Sequence, residues 1–360
     1  MTDRLSVFAG NLPRGIDAVL ITSDFNRRYF LRFSSSSGTL VVTRDKSYFI
    51  IDGRYFEATR EAVKAVKNCE VVLQQKTYDQ ILRLLQKHGA KTLGLEEDHT
   101  SMGDFARLCE RLSGIEVLPD GGGIGKIIAC QRTVKDKSEI ERIQKSQDIT
   151  DETFTHLLNY IKPGFTEREI AFEIQRFMWS LGSQRPAFEP IVAAGANSSK
   201  PHAVPTENKI KDGDFIVLDF GAVFMDYCSD MTRTVGVGNV SAKQREAYGV
   251  VLEAQISALE IIKSGEACMY VDKIARDLID KSGYKGLFAH GLGHSLGLEV
   301  HEPPSFSAGS EASLKPGVVM SVEPGIYIPG EFGVRIEDLI AVTETGHLNF
   351  TRSTKELIMI

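Results

Sequence analysis

The run FIVLDF, residues 215–220, sets Asp219 inside a stretch that otherwise reads as a fully buried strand. A lone carboxylate in an apolar interior is costly unless it is paired or bound to a metal. Any fold this chain adopts must therefore bring a partner to Asp219. Eleven residues later Asp230 stands in CSDMTRTV, and the intervening GAVFMDY reads as a hairpin connection. Centred on Phe224 and Met225, that hairpin puts the two aspartates opposite each other, with Cβ atoms roughly 4.5–5.5 Å apart. A register displaced by one residue sends them to opposite faces instead.

The same anomaly recurs near the C-terminus. Glu323 lies in VVMSVEPGIYI and Glu337 in GVRIEDLIAV, each within an apolar strand pattern. Singly, either fits a salt-bridged edge residue. Taken with His294 they make four carboxylates and one imidazole on segments that read as core. About four positive charges are then required, which two divalent cations supply. Oxygen-rich ligation with one nitrogen suits Mn²⁺ first, then Co²⁺ or Fe²⁺, and is compatible with Zn²⁺. Two such ions sharing a water lower its pKa toward neutrality and polarise a carbonyl, so metal-assisted hydrolysis is expected. Thiolates play no part. The five cysteines, Cys69, Cys109, Cys130, Cys228 and Cys268, are scattered and form no C-x-x-C pair, which argues against a disulfide framework and a thiolate zinc site.

With 360 residues, 42% apolar and 25% charged, the chain is long enough for two ordinary domains and has the balance of a folded soluble protein. A formal net charge of −6 gives no broad basic footprint, which counts against nucleic acid or an anionic membrane as partner. MTDRLSVFAGNLPRG carries no signal-peptide pattern and no apolar run reaches membrane-span length, so a cytoplasmic location is expected. Without a secretion signal, the sequons at Asn197, Asn239 and Asn349 carry no weight.

The first third alternates strands with helices. GIDAVLIT reads as a strand, GTLVVTRDKSYFIIDGRY as a hairpin, and YDQILRLLQKHG as an amphipathic helix closing at Gly89. The segment LPDGGGIGKI breaks this pattern, and placing the boundary at Gly121–Gly125 gives an α/β domain over 1–125 and a second domain over 126–360. GIGK imitates the end of a phosphate loop, but Asp120 stands where its first glycine belongs and Ile127 where Ser or Thr belongs, so a linker is expected. Beyond it come a charged helix from about Lys135 to Tyr160 and TEREIAFEIQRFMWSLG, with Thr166 and Glu169 at capping-box spacing. Strands FIVLDFGAV, CSDMTRTVGVG, GVVMSVEPGIYI and GVRIEDLIAVT follow, interrupted by helices REAYGVVLEAQISALEII and YVDKIARDLIDKSG. Helices beside a curved, largely antiparallel sheet make an α+β domain.

In this order, D-F-G-A, S-D-M-T-R-T, H-G-L-G-H, H-E-P-P, S-V-E-P-G-I-Y and V-R-I-E-D resemble the signature blocks of the pita-bread metallopeptidases. The likeness is to the branch of Xaa-Pro aminopeptidases and proline dipeptidases, or prolidases, and it covers nearly the whole chain. It implies a pita-bread catalytic domain behind a smaller α/β creatinase/prolidase N-terminal domain, assembled as a homodimer. It also implies that Asp230 and Glu337 bridge two metals, that Asp219 chelates one, and that His294 and Glu323 complete the other. Glu323 is then the candidate proton acceptor for the attacking water. The implied reaction removes the N-terminal residue from peptides or dipeptides with proline second, through attack of a metal-bridged hydroxide.

The resemblance assigns His202, His290 and His301 to substrate and to the tetrahedral intermediate, since imidazole can donate to developing oxyanion charge near neutral pH. Each also fits a hydrogen-bonded histidine in a turn. Arg335, two residues before Glu337 and on its face, orients carboxylates or meets substrate in the family pattern; a plain salt bridge is the alternative. Tyr327 matches a tyrosine near the proline-binding side, or is an ordinary strand aromatic. Methionine aminopeptidases share the ligand set, but His290, the Arg of V-R-I-E-D, the short interval from Glu323 to Glu337 and the N-terminal domain favour the Xaa-Pro branch. A non-catalytic binding module and a metal-free, creatinase-like amidinohydrolase are the other readings, and the complete ligand set argues against both.

Overall fold

Short runs of β-branched and aromatic residues become the strands of two compact units, one up to Arg132 and one from Thr133 to Ile360. The computed structural model describes residues 3–119 and 121–360. The expected break after Gly125 falls inside a helix, Ile124–Thr133, whose Ile124 and Ile128 are fully buried. The glycine run is the tight turn that starts this helix: Gly121, Gly122 and Gly123 all have positive φ, which only glycine adopts without strain. Asp120, used in the phosphate-loop comparison, lies outside the described residues.

The first unit is built on one six-stranded sheet in the order Cys69–Leu73, Ser47–Ile51, Thr39–Thr43, Ala18–Ile21, Thr92–Leu95, Glu116–Val117. Its central hairpin is the one the alternation predicts. The helix Thr77–Lys87 stops just before Gly89, where φ is +66°.

In the second unit, the helices Lys137–Tyr160 and Glu167–Ser180 each begin in a capping box, Asp136 with Glu139 and Thr166 with Glu169. Their apolar faces, including Phe154, Leu157, Ile170 and Ile174, share a core with the antiparallel strands Ile191–Ala194, Phe215–Phe220 and Met231–Gly236. A second antiparallel sheet runs Glu302–Phe306, Gly293–Ser295, Val319–Val322, Asp338–Val342, His347–Asn349 and packs with the helices Ala242–Ile261 and Cys268–Ile279. The unit is α+β. Among the described residues no helix is long and apolar enough to cross a membrane.

Two local geometries differ from the sequence pattern, and both bear on the acidic residues. The hairpin after FIVLDF turns on Met225 and Asp226, which have φ of +45° and +74°, between the paired Phe224 and Tyr227. Positive φ at both central residues is the two-residue hairpin turn that matches strand twist. Asp219 therefore faces Thr232 rather than Asp230. The shift amounts to two residues in pairing, so Asp230 keeps the face that Asp219 occupies. Gln184, accepting from Asp226 N at 2.7 Å, holds the turn from outside.

The two C-terminal strands are each broken in the middle. Val319–Val322 pairs with Asp338–Val342 in the five-stranded sheet, whereas Gly325–Ile328 pairs with Phe332–Arg335 in a separate ribbon. Glu323 and Glu337 thus sit at the crossing between sheets, not inside strands. Pro324, which has no N–H to give to a ladder, stands at that crossing.

Candidate metal centre

The hairpin, the strand Gly293–Ser295 and the two strand breaks aim five side chains at one point. Gly293 lets the histidine strand approach: a Cβ there would lie 2.1 Å from Ser321 O. Arg276 donates to Phe288 O and His290 O, and Asp272 accepts from Leu292 N, so the H-G-L-G-H segment is anchored to the helix beneath it. Carboxylate oxygens of Asp219, Asp230 and Glu337 all lie within 4.8 Å of one another. His294 Nε2 is 3.7 Å from Asp230 Oδ2 and 3.4 Å from Glu323 Oε1.

Charge in this cluster is out of balance. Burial, and then the carboxylates of Asp219 and Glu323, push the Asp230 pKa well above its ordinary value. Burial, then Asp230, Glu323 and Asp219, does the same to Glu337, and burial raises Glu323 to about 8. Two of the buried oxygens, Asp219 Oδ1 and Glu337 Oε1, accept no hydrogen bond. Burial, with the neighbouring His301, lowers His294 to about 4, so the ring is neutral near pH 7. Donation from its Nδ1–H to Ser295 O, at 3.2 Å, leaves Nε2 as a lone pair. A lone pair facing carboxylate oxygens repels them unless a cation stands between. Hard divalent cations fit this donor set of carboxylate oxygens and one imidazole nitrogen.

Arg335 is fully enclosed. It donates to Asp219 Oδ2 at 2.5 Å, Thr232 Oγ1 at 3.0 Å, Tyr327 Oη at 2.7 Å and Pro201 O at 3.2 Å. Burial opposes its charge, but Tyr327, Asp219 and Glu323 hold its pKa well above the ordinary value.

Residues 141–344 match the model of metallopeptidase family M24, and residues 13–134 match the creatinase/prolidase N-terminal domain. This chain belongs to metallopeptidase family M24. An uncharacterized peptidase of Bacillus subtilis strain 168, YqhT, is 41% identical over 351 residues, 96% of each chain. The Xaa-Pro dipeptidase of Pyrococcus furiosus is 37% identical over 344 residues, 95% of each chain. The solved Xaa-Pro dipeptidase from Bacillus anthracis superposes with a TM-score of 0.93 at 37% identity, covering 99% of this chain and 98% of that one. The architecture is accordingly an M24 pita-bread domain behind a creatinase/prolidase N-terminal domain.

A cavity of about 960 Å³ opens over the M24 centre, and His202, His290, His301 and Arg335 line it together with the five acidic and imidazole groups. The His301 ring lies 4.2 Å from that of His294. His290 is less free than its motif implies. Its Nδ1 bonds Gly291 O at 2.8 Å and its Nε2 bonds Tyr327 Oη at 2.9 Å, so both nitrogens are engaged within the protein. Tyr327 is buried behind the cavity wall, with its hydroxyl between His290 and Arg335.

The motif reading missed Thr232. Its hydroxyl donates to Glu337 Oε2 at 2.7 Å and accepts from Arg335 Nε at 3.0 Å, which fixes both. The signal was present in S-D-M-T-R-T, where Thr232 follows Asp230 by two residues and so shares its face.

Proposed function

We propose that this M24 metallopeptidase holds two divalent ions, Mn²⁺ in the first instance, and removes the N-terminal residue from substrates with proline at the second position. The observation that carries this reading is the convergence of Asp219, Asp230 and Glu337 with the Nε2 lone pair of His294. Asp219, Asp230, His294, Glu323 and Glu337 would be the ligands. When bound, the ions would supply Lewis-acid polarisation of the scissile carbonyl and lower the pKa of water toward neutrality.

The chain's own groups complete the site. Glu323, steadied by the Ser321 hydroxyl at 3.2 Å, accepts the proton released by the attacking water. His301 opens onto the cavity, and partial burial and His202 lower its pKa, so its neutral ring donates a hydrogen bond to the developing oxyanion. His202, exposed and lining the same cavity, meets the substrate chain. Arg335 holds Asp219 in place, while Tyr327 passes a hydrogen bond from that cluster to His290, whose ring walls the pocket. Preference for proline is supported by the relatives named for Xaa-Pro dipeptides.

A panel of Xaa-Pro dipeptides, longer Xaa-Pro peptides and Met-Ala peptides, assayed with Mn²⁺, Co²⁺, Fe²⁺ and Zn²⁺ supplied separately, tests the proposal. Cleavage confined to the bond before proline and abolished by chelation is expected. Cleavage of Met-Ala peptides alone would move the chain to the methionine-aminopeptidase reading, and full activity without metal would end the hydrolytic scheme.

A further inference from the structure

The acidic floor is one end of a cavity whose other walls set apolar side chains among a few polar ones, Arg168, Gln175 and Glu189. Phe172, on the helix Glu167–Ser180, is 68% exposed, Val204 is 75% exposed, and Phe188 and Pro190 line the same cavity. Val204 is not on a loose loop. Glu167, fully buried, accepts from Thr206 N at 2.9 Å, Thr206 Oγ1 at 2.6 Å and Ala194 N at 2.8 Å, and also from the amides of Asn197 and Asn208. At the other end of the loop, Arg335 grips Pro201 O. Large apolar side chains held away from the core beside a reactive centre mark a surface that a ligand covers. The cavity of about 960 Å³ is also near the top of the roughly 300–1,000 Å³ range of ligand sites.

The side-chain cations of the cavity point the same way. In an Xaa-Pro dipeptide the free carboxylate follows the scissile bond by one residue, ~3.8 Å along the chain. It must lose water inside the cavity, and with the two ions already balancing the four carboxylates such a group still needs a cationic partner of its own. Among the described residues lining the cavity, two are arginines and none is a lysine. Arg335 already serves Asp219, and Arg168 pairs with Glu207 at 2.7 Å on the exposed rim. His290 has both nitrogens engaged, and His202 and His301 are assigned to the substrate chain and the scissile carbonyl. An amide in the same place carries no charge, and the chain beyond it has the apolar side chains of the cavity to cover.

We infer that this enzyme acts on peptides that continue past the proline and discriminates against Xaa-Pro dipeptides. The inference rests on the Xaa-Pro reading above and adds chain length to it.

Steady-state kinetics of the Mn²⁺-loaded full chain on Ala-Pro, Ala-Pro-amide, Ala-Pro-Ala-Ala and Met-Ala-Ala-Ala test it. The tetrapeptide with proline should exceed Ala-Pro in kcat/KM by about tenfold or more, the scale of one unmet charged hydrogen bond. Ala-Pro-amide should recover part of that gap through KM, and Phe172→Ala should raise KM for the proline tetrapeptide severalfold. Ala-Pro turned over as well as the tetrapeptide would overturn the length assignment while leaving the Xaa-Pro reading intact. Ala-Pro-amide no better than Ala-Pro would overturn its charge basis. Cleavage of Met-Ala-Ala-Ala with none of the proline peptides would instead remove the reading on which the inference stands.

Discussion

Glu337 and Asp338 are neighbours in sequence and both almost fully buried, yet their surroundings treat negative charge in opposite ways. Asp338 accepts from Arg233 at 2.8 Å, Lys355 at 2.9 Å and Asn349 at 2.8 Å. Burial pushes its pKa up, but Arg233 and Lys355 outweigh that, and it titrates below the ordinary value. Glu337 has one hydroxyl donor, from Thr232, and an unpartnered Oε1, and its pKa is driven up. The chain can bring two cations to one buried carboxylate where the purpose is structural. Around Glu337, Asp219, Asp230 and Glu323 the described residues supply Arg335, one cation for four carboxylates. The surplus is therefore a built feature of that face, and external cations are what complete it.

The sharpest way to break this contrast is to neutralise one member of each cluster. Asp338→Asn leaves Arg233, 1% exposed, without its counter-charge and should destabilise the fold by about 3–5 kcal/mol in denaturant unfolding. Asp230→Asn should lower kcat by ~10²–10³-fold, on the scale of losing a principal electrostatic contributor. In chelator it should have the opposite sign from Asp338→Asn and raise the melting temperature, because it removes a like charge from an uncompensated cluster. Metal-free Asp230→Asn protein melting below metal-free parent would deny the surplus.

Much of this contrast was legible in the sequence, and the remainder was hidden for identifiable reasons. Asp219 announced itself because one carboxylate in FIVLDF violates an apolar run, and the capping box at Thr166 and Glu169 marked its helix start. The hairpin register was not readable, because Met225 is not a residue that ordinarily signals a positive φ and Asp226 alone does not fix the turn; a tertiary contact from Gln184 holds it. The breaks at Glu323 and Glu337 were hidden because apolar patterning continues across them while the pairing partner changes. Nor does local sequence separate Glu337 from Asp338: Arg233 and Lys355 come from distant positions, and only the fold assigns them to one acid rather than the other.

Smaller effects refine the comparison. Thr232→Val removes the hydroxyl that joins Glu337 to Arg335 and should cost about 10–100-fold in metal affinity or activity. An affinity unchanged in a metal-competition titration would show that Thr232 is only a packing residue. The pH response should be gentler still. In metal-free protein the folded-state pKa values of Asp230, Glu323 and Glu337 lie above their unfolded values, so the folded chain binds more protons. Stability from this cluster is full below the ordinary value of 4.5 for Glu323 and is lost as pH rises toward about 8. Asp338 runs the other way, stabilising above its ordinary 3.8 and losing that as pH falls. Melting of metal-free protein should therefore decline from about pH 5 to about pH 8, and Mn²⁺ should flatten the decline. Identical profiles with and without metal would contradict this.

Anomalous diffraction from crystals of the full chain grown with Mn²⁺ puts the matter most directly. Two peaks should stand among Asp219, Asp230, His294, Glu323 and Glu337, and none beside Asp338. An empty acidic cluster in crystals of protein that hydrolyses its peptides, or Mn²⁺ bound elsewhere in the chain, would contradict the claim that this face is held negative for two cations.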